Sequence, residues 1–170
     1  MAKIIYLTGG QRSGKSSAAQ RLALSESNKP IYIATAVVTD NEMDKRIERH
    51  KRDRGNQWKN IEEPLYVGDL DIQKHAVVVL DCITLWLSSI FFKNKEDVEK
   101  SFLFFKNQWA KLISKDIRLI VVSNEIGMGL HADTEMGRKF TDLQGWTNQL
   151  IAKDADEAYL MVSGIKIKIK

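Results

Sequence analysis

The run Gly9-Gly10-Gln11-Arg12-Ser13-Gly14-Lys15-Ser16 sets glycines, a lysine and a hydroxyl at the spacing G-x-x-x-x-G-K-[ST]. Each residue type answers a need of phosphate binding. Glycines let successive backbone N–H groups turn inward toward phosphate oxygens, where a side chain would obstruct them. A helix opening directly from the loop adds the positive end of its dipole. Lys15 is placed to bridge the β- and γ-phosphates of a nucleotide, and the Ser16 hydroxyl to ligate Mg²⁺. Such a metal also needs a carboxylate, normally at the end of an apolar strand beside the first. Ala76-Val77-Val78-Val79-Leu80-Asp81 supplies one. A charge closing an apolar run is costly unless it finds a partner, so Asp81 is expected to face the phosphate crevice as the second metal ligand. Capping the helix that starts at Ile83 is an alternative role, and the two can coexist.

A second constellation lies at Arg46, His50 and Arg54. At spacing i, i+4, i+8 they share one face of a helix Glu42–Asp53 if its last turn continues. An imidazole between two guanidiniums is disfavoured as a cation, which keeps a ring lone pair available. The guanidiniums can hold phosphate oxygens bidentately. A neutral His50 beside a clamped α-phosphate can attack it and carry a nucleotidyl group covalently. On spacing alone, a solvated basic face with an incidental histidine explains the same pattern.

Other candidates read more plainly. Cys82 is expected to be a small core residue rather than a nucleophile. Asn94-Lys95-Glu96-Asp97 matches the N-K-x-D pattern that reads guanine in regulatory GTPases, but it falls between two helices. Asn94 as a helix cap, with Glu96 and Asp97 in the first turn, accounts for it. His75 is expected to be incidental and His131 a solvated loop residue. Asn124 and Glu125 end a strand beside the crevice, where doubly wound sheets place ligand groups, and have no assigned role.

The elements that must position these residues alternate between short β-rich runs and longer helical segments, the pattern of a parallel sheet with crossover helices. Strands are expected at Lys3–Thr8, Pro30–Thr35, Ala76–Asp81, Ile117–Ser123 and Glu157–Val162. Helices are expected at Ser16–Ser25, Glu42–Asp53, Ile83–Phe92, Glu96–Ser114 and Glu135–Lys153. Trp58–Pro64 reads as an extended edge piece, since Pro64 cannot donate to a ladder. After a turn at Ser163-Gly164, Ile165, Ile167 and Ile169 alternate with lysines. That predicts an antiparallel C-terminal edge strand with one apolar and one solvated face. The expected fold is a three-layer α-β-α P-loop NTPase, α/β with a mostly parallel sheet, in a single domain over residues 1–170.

Composition narrows the partners. Hydrophobic residues at 44% and charged residues at 28% are ordinary for a globular chain and argue against disorder. The net charge of +4 is mild, with Lys and Arg spread along the chain apart from a cluster at Lys45 to Arg54 and the Lys166/Lys168/Lys170 alternation. That balance suits an anionic small molecule as well as a nucleic acid, and no nucleic-acid partner is expected. One cysteine excludes an internal disulfide or a multi-cysteine metal site and fits a reducing cytosol. The N-terminal apolar run is too short for a signal peptide, and no run is long enough to span a membrane. A cytoplasmic protein is expected.

Two central blocks carry a more specific signal. They are Ala34-Thr35-Ala36, Asp40, Glu42-Met43, Arg46-Ile47, His50, Arg54, Trp58 and Glu62-Glu63-Pro64, and then Asn124-Glu125-Ile126-Gly127-Met128-Gly129. With the glycine loop, Asp81-Cys82-Ile83-Thr84, Asp142, Gly145, Asn148-Gln149 and Ala155-Asp156-Glu157, they resemble the adenosylcobinamide kinase/adenosylcobinamide-phosphate guanylyltransferase family of cobalamin biosynthesis. The similarity runs from Ile4 to the C-terminus. It implies a P-loop domain, commonly a homotrimer, that phosphorylates adenosylcobinamide with ATP or GTP. GMP is then transferred from GTP to the product, giving adenosylcobinamide-GDP. Catalytic positions implied here are His50, as the guanylylated residue, and Lys15. Nucleotide-binding positions are Gly9, Gly10, Gln11, Arg12, Ser13, Gly14, Lys15, Ser16, Ala34, Thr35, Ala36, Arg46, Lys51, Arg52, Asp53, Arg54, Glu62 and Asp81; Ser16 and Asp81 would hold Mg²⁺. The partners expected are nucleoside triphosphates, a corrinoid and further copies of the chain. The chain departs from the family at Leu130-His131-Ala132, where Val-Pro is usual, which bears on the corrinoid contacts. A monofunctional P-loop kinase is the first rival reading and a non-enzymatic nucleotide switch the second.

Overall fold

The computed structural model describes residues 1–37 and 55–170. The expected helix Glu42–Asp53, with Arg46, His50 and Lys51 to Arg54, lies outside the described residues.

Runs rich in Ile, Val and Tyr form strands because branched and aromatic side chains pack well on a pleated surface. They are β1 (Lys3–Gly9), β2 (Ile31–Ala34), β3 (Lys59–Glu62), β4 (Val77–Asp81), β5 (Arg118–Val122), β6 (Glu157–Val162) and β7 (Ile165–Lys168). Among the described residues they make one sheet in the order β3-β2-β4-β5-β1-β6-β7, with only β6 and β7 antiparallel. Between them run α1 (Lys15–Glu26), α2 (Ile83–Lys93), α3 (Val98–Ile113) and α4 (Glu135–Asp154).

Alternation along each strand divides the core into two layers. Ile4, Tyr6, Ile33, Val78, Leu80, Leu119 and Val121 face Trp86, Leu87, Phe105, Leu112 and Leu143 of α2, α3 and α4. Ile5, Leu7, Val77, Val79, Ile120 and Val122 face Ala19 and Ala23 of α1, with Trp58 beside them. Helices thus cover both faces, as a parallel sheet requires. Among the aromatics of α2 and α3, Trp86, Phe91 and Phe105 are core, while Phe92 is exposed.

Two local expectations need correction. Asn94 does not cap α3; its Nδ2 donates to Ile90 O at 3.0 Å, closing α2 instead. Lys95 and Glu96 both take positive φ and turn the chain, so Asp97 becomes the cap and accepts from Lys100 N at 2.9 Å. The C-terminal strand forms at the edge as expected, but its isoleucine face is not buried. Ile165, Ile167 and Ile169 are 66%, 46% and 58% exposed, because β7 pairs with β6 beyond the reach of the helix layers. On the lysine face, which is exposed as well, Lys166 Nζ lies 4.3 Å from the Tyr159 ring centroid.

Candidate phosphate site at the carboxyl edge of the sheet

Strand register aligns the site. Glu62 pairs with Ala34, Ala34 with Asp81, Asp81 with Val122 and Val122 with Leu7, one row across the carboxyl edge of the parallel strands. The glycine loop begins two residues past Leu7. Such an edge is where open α/β sheets bind ligands.

Gly9 has φ +148°, and a Cβ there would meet Met161 O at 2.4 Å, so no other residue fits without moving β6. Gly14, at φ +92°, is the N-cap of α1 and offers no side-chain oxygen to the first turn. The turn's N–H groups therefore stay available for phosphate oxygens. Lys15 is buried under the loop, where its Nζ donates to Gly9 O at 2.9 Å, Gly10 O at 2.5 Å and Ser13 Oγ at 3.3 Å. Burial holds its pKa below the usual lysine range, opposed by the charge of Asp81. The ammonium thus rests on carbonyls that a phosphate would replace as a stronger acceptor.

Asp81 ends β4 and does not cap α2; Cys82 is the N-cap residue, without a side-chain bond. The Asp81 Oδ2 instead accepts from Tyr32 Oη at 2.6 Å. Ser16 and Asp81 are hard oxygen donors on the two sides of the loop, the chemistry Mg²⁺ takes with few protein ligands plus phosphate. Thr35 is fully buried and its hydroxyl is committed to the Cys82 backbone, donating to Cys82 O at 2.7 Å and accepting from Cys82 N at 3.0 Å. It locks the ends of β2 and β4 together. Burial pushes the Cys82 thiol up to about 12, so it stays protonated in the core, as expected.

The structure sets Asn148, one of the residues that carry the family resemblance, in a polar cluster with Ser123 and Gln144, which sequence reasoning passed over. Asn148 Oδ1 accepts from Ser123 Oγ at 2.7 Å and from Gln144 Nε2 at 2.9 Å. Asn148 Nδ2 donates to Asn124 O at 3.2 Å. The i, i+4 spacing of Gln144 and Asn148 on an otherwise amphipathic helix was the available signal. Ala36 lies just past β2 and is partly buried, and Gln11 and Arg12 sit exposed at the loop tip. His75 is exposed, lies 3.2 Å from Asp116 and precedes the amino end of β4, the end opposite Asp81; His131 is exposed on its loop.

Residues 5–169 match the family described as cobinamide kinase / cobinamide phosphate guanyltransferase. The chain belongs to this family. It is similar to the bifunctional adenosylcobalamin biosynthesis protein CobU of Escherichia coli (strain K12), with 34% identity over 98% of this chain and 99% of that protein. The corresponding CobP of Pseudomonas aeruginosa is also 34% identical, over 96% of this chain and 95% of that one. A solved ATPase from the type III secretion system of pathogenic bacteria shares the fold alone, with a TM-score of 0.59 and 11% identity over 98% of this chain and 57% of the other. Family membership makes the chain a bifunctional transferase of adenosylcobalamin biosynthesis, a cobinamide kinase and cobinamide phosphate guanylyltransferase, as the resemblance implied. Among the described residues no helix is long and apolar enough to cross a membrane.

Proposed function

We propose that one phosphate loop serves both half-reactions of the family and that His50 carries GMP between nucleotide and acceptor. In the first step the aminopropanol hydroxyl of adenosylcobinamide attacks the γ-phosphorus of ATP or GTP. In the second an imidazole nitrogen of His50 attacks the α-phosphorus of GTP and pyrophosphate leaves. An oxygen of adenosylcobinamide phosphate then attacks that phosphorus, releasing His50 and giving adenosylcobinamide-GDP.

The observation that carries this reading is the aligned row at the sheet's carboxyl edge, which puts Glu62 and Asp81 level with the strand leading into the loop. The loop amides, Lys15 and the α1 N-terminus stabilise negative charge as it shifts among phosphate oxygens. Gln11, Arg12 and Ser13 belong to this cradle, and Ala34, Thr35 and Ala36 shape its wall. Ser16 and Asp81 would hold Mg²⁺, which supplies further charge neutralisation at the phosphates. Lys51, Arg52, Asp53 and Arg54 join His50 as nucleotide contacts through the family motif, and Arg46 joins them through its i, i+4 spacing to His50.

The working unit is a homo-oligomer, a trimer by family resemblance. The exposed stripe of Val162, Ile165, Ile167 and Ile169 at the sheet edge supports it, since soluble monomers rarely leave such stripes bare. One domain and a cytoplasmic setting complete the reading, the latter supported by the lone, buried Cys82.

A chase experiment tests the carrier step. Protein labelled with α-labelled GTP and freed of nucleotide should pass its label to added adenosylcobinamide phosphate. Label that stays on the protein through the chase overturns the two-step transfer. A monomeric mass in sedimentation at micromolar protein overturns the oligomer.

A further inference from the structure

We propose that Glu125 is the general base of the kinase half-reaction, taking the proton from the acceptor hydroxyl, with Asn148 positioning its carboxylate. The proposal rests on the family's kinase activity and adds a residue with no role in the account above.

Placement comes first. β5 lies between β1, which feeds the phosphate loop, and β4, which ends in Asp81. Its carboxyl end is stitched to both. Toward the loop, Ser123 N donates to Leu7 O and Glu125 N to Gly9 O, each at 3.0 Å. Toward Asp81, Asn124 N donates to Thr84 Oγ1 at 3.1 Å. Gly9 O also accepts from Lys15 Nζ at 2.9 Å, so a single carbonyl separates the Glu125 main chain from the phosphate lysine. Glu125 therefore stands at the crevice between the two arms of the site.

The carboxylate is held but not satisfied. Its Oε1 receives Gly127 N at 3.4 Å and its Oε2 receives Asn148 Nδ2 at 3.5 Å, both long. Among the described residues no cation pairs with it, whereas Asp69, Asp97, Glu135 and Glu157 each hold a lysine. Asn148 is 7% exposed, and the two donors on its Oδ1 fix the amide with Nδ2 toward Glu125. An unpaired anion beside a triphosphate site lowers nucleotide affinity by repulsion. A base for the acceptor offsets that cost.

Chemistry says which half-reaction needs it. The kinase acceptor is a neutral alcohol that must lose a proton. The guanylyl acceptor is already an anionic phosphate, and an imidazole lone pair has no proton to give up. In the kinase step the alcohol oxygen bonds to the γ-phosphorus. The bond from that phosphorus to the β–γ bridging oxygen breaks, its electron pair leaving on the nucleoside diphosphate. The alcohol proton passes to Glu125.

The test compares wild type with Glu125→Gln and Glu125→Asp in the whole enzyme, using ATP and adenosylcobinamide for one assay and α-labelled GTP for the other. In Glu125→Gln, kcat for phosphorylation should fall roughly 10²- to 10⁴-fold, the size of a general-base contribution. KM for ATP should be unchanged or lower, labelling by GTP should persist, and the acidic limb of the kcat–pH profile should vanish. Glu125→Asp should recover part of the rate and keep that limb. A phosphorylation rate within about twofold of wild type, an unchanged acidic limb, or loss of both half-reactions together would each overturn the assignment. Absence of phosphorylation by wild type would instead refute the kinase reading itself.

Discussion

The Tyr32 hydroxyl donates to Asp81 Oδ2 at 2.6 Å across the neighbouring strands β2 and β4. This bond fixes one oxygen of a carboxylate whose charge acts on Lys15. Tyr32→Phe removes it without unpacking the ring, which sits edge-on to Trp58 at 5.7 Å. A hydrogen bond to a charged group contributes about 1.5–3 kcal/mol, so the variant should need roughly ten-fold more Mg²⁺ for half-maximal turnover. Asp81→Asn should lose metal-dependent turnover while melting near wild type. A metal titration that Tyr32→Phe leaves unmoved would separate Asp81 from the metal.

Lys15 gives a pH signature. Only its charged form attracts phosphate, and burial lowers its pKa, so the charge is lost at lower pH than for an ordinary lysine. Triphosphate affinity should therefore begin to fall on the alkaline side before about pH 10.4, the usual lysine value. Lys15→Ala should bind triphosphate roughly ten- to hundred-fold more weakly, as loss of a charged hydrogen bond predicts. It should also flatten that alkaline fall. Calorimetric titrations across the pH range read both outcomes.

Trp86 anchors the helical layer. It is fully buried, lies 4.9 Å from the Phe105 ring and donates Nε1 to Leu65 O at 2.9 Å. Trp86→Ala should cost about 3–5 kcal/mol of unfolding free energy through the cavity it leaves. Urea denaturation followed by circular dichroism measures this; a loss under about 1 kcal/mol would mean that the layer repacks freely around the hole.

Much of this architecture was legible in the sequence, and the failures have local causes. The strands feeding the loop and carrying Asp81 are continuous apolar runs, which only a doubly covered parallel sheet buries, so their type followed from pattern. Their order did not: the strand carrying Asp81 was expected beside the first, and β5 stands between β1 and β4, a pairing that a run of apolar residues does not encode. The edge position of Lys59–Glu62 followed from Pro64. Asn94 was misplaced because cap residues look alike in sequence, and the left-handed Lys95 and Glu96 that reassign it leave no mark in composition. The β7 isoleucines alternate as a half-buried strand does, yet whether a helix covers an edge is a tertiary fact. At the site, the glycine loop announced itself through residue types that phosphate binding demands. The Tyr32–Asp81 bond and the Ser123–Gln144–Asn148 cluster join positions 21 to 49 residues apart in part, and pairings at that range have no local signature.

The account turns on His50 as the covalent carrier. Phosphoryl transfer to a hydroxyl needs positioning and charge stabilisation, whereas nucleotidyl transfer through the protein needs a nucleophile. The most direct measurement is an intact mass spectrum after incubation with GTP and Mg²⁺, on wild type and on His50→Ala. Wild type should gain the mass of one GMP, in an acid-labile and base-stable bond as a phosphoramidate is, while His50→Ala gains none and still phosphorylates adenosylcobinamide. A GMP adduct on His50→Ala, or its absence from wild type that transfers GMP, would contradict the account.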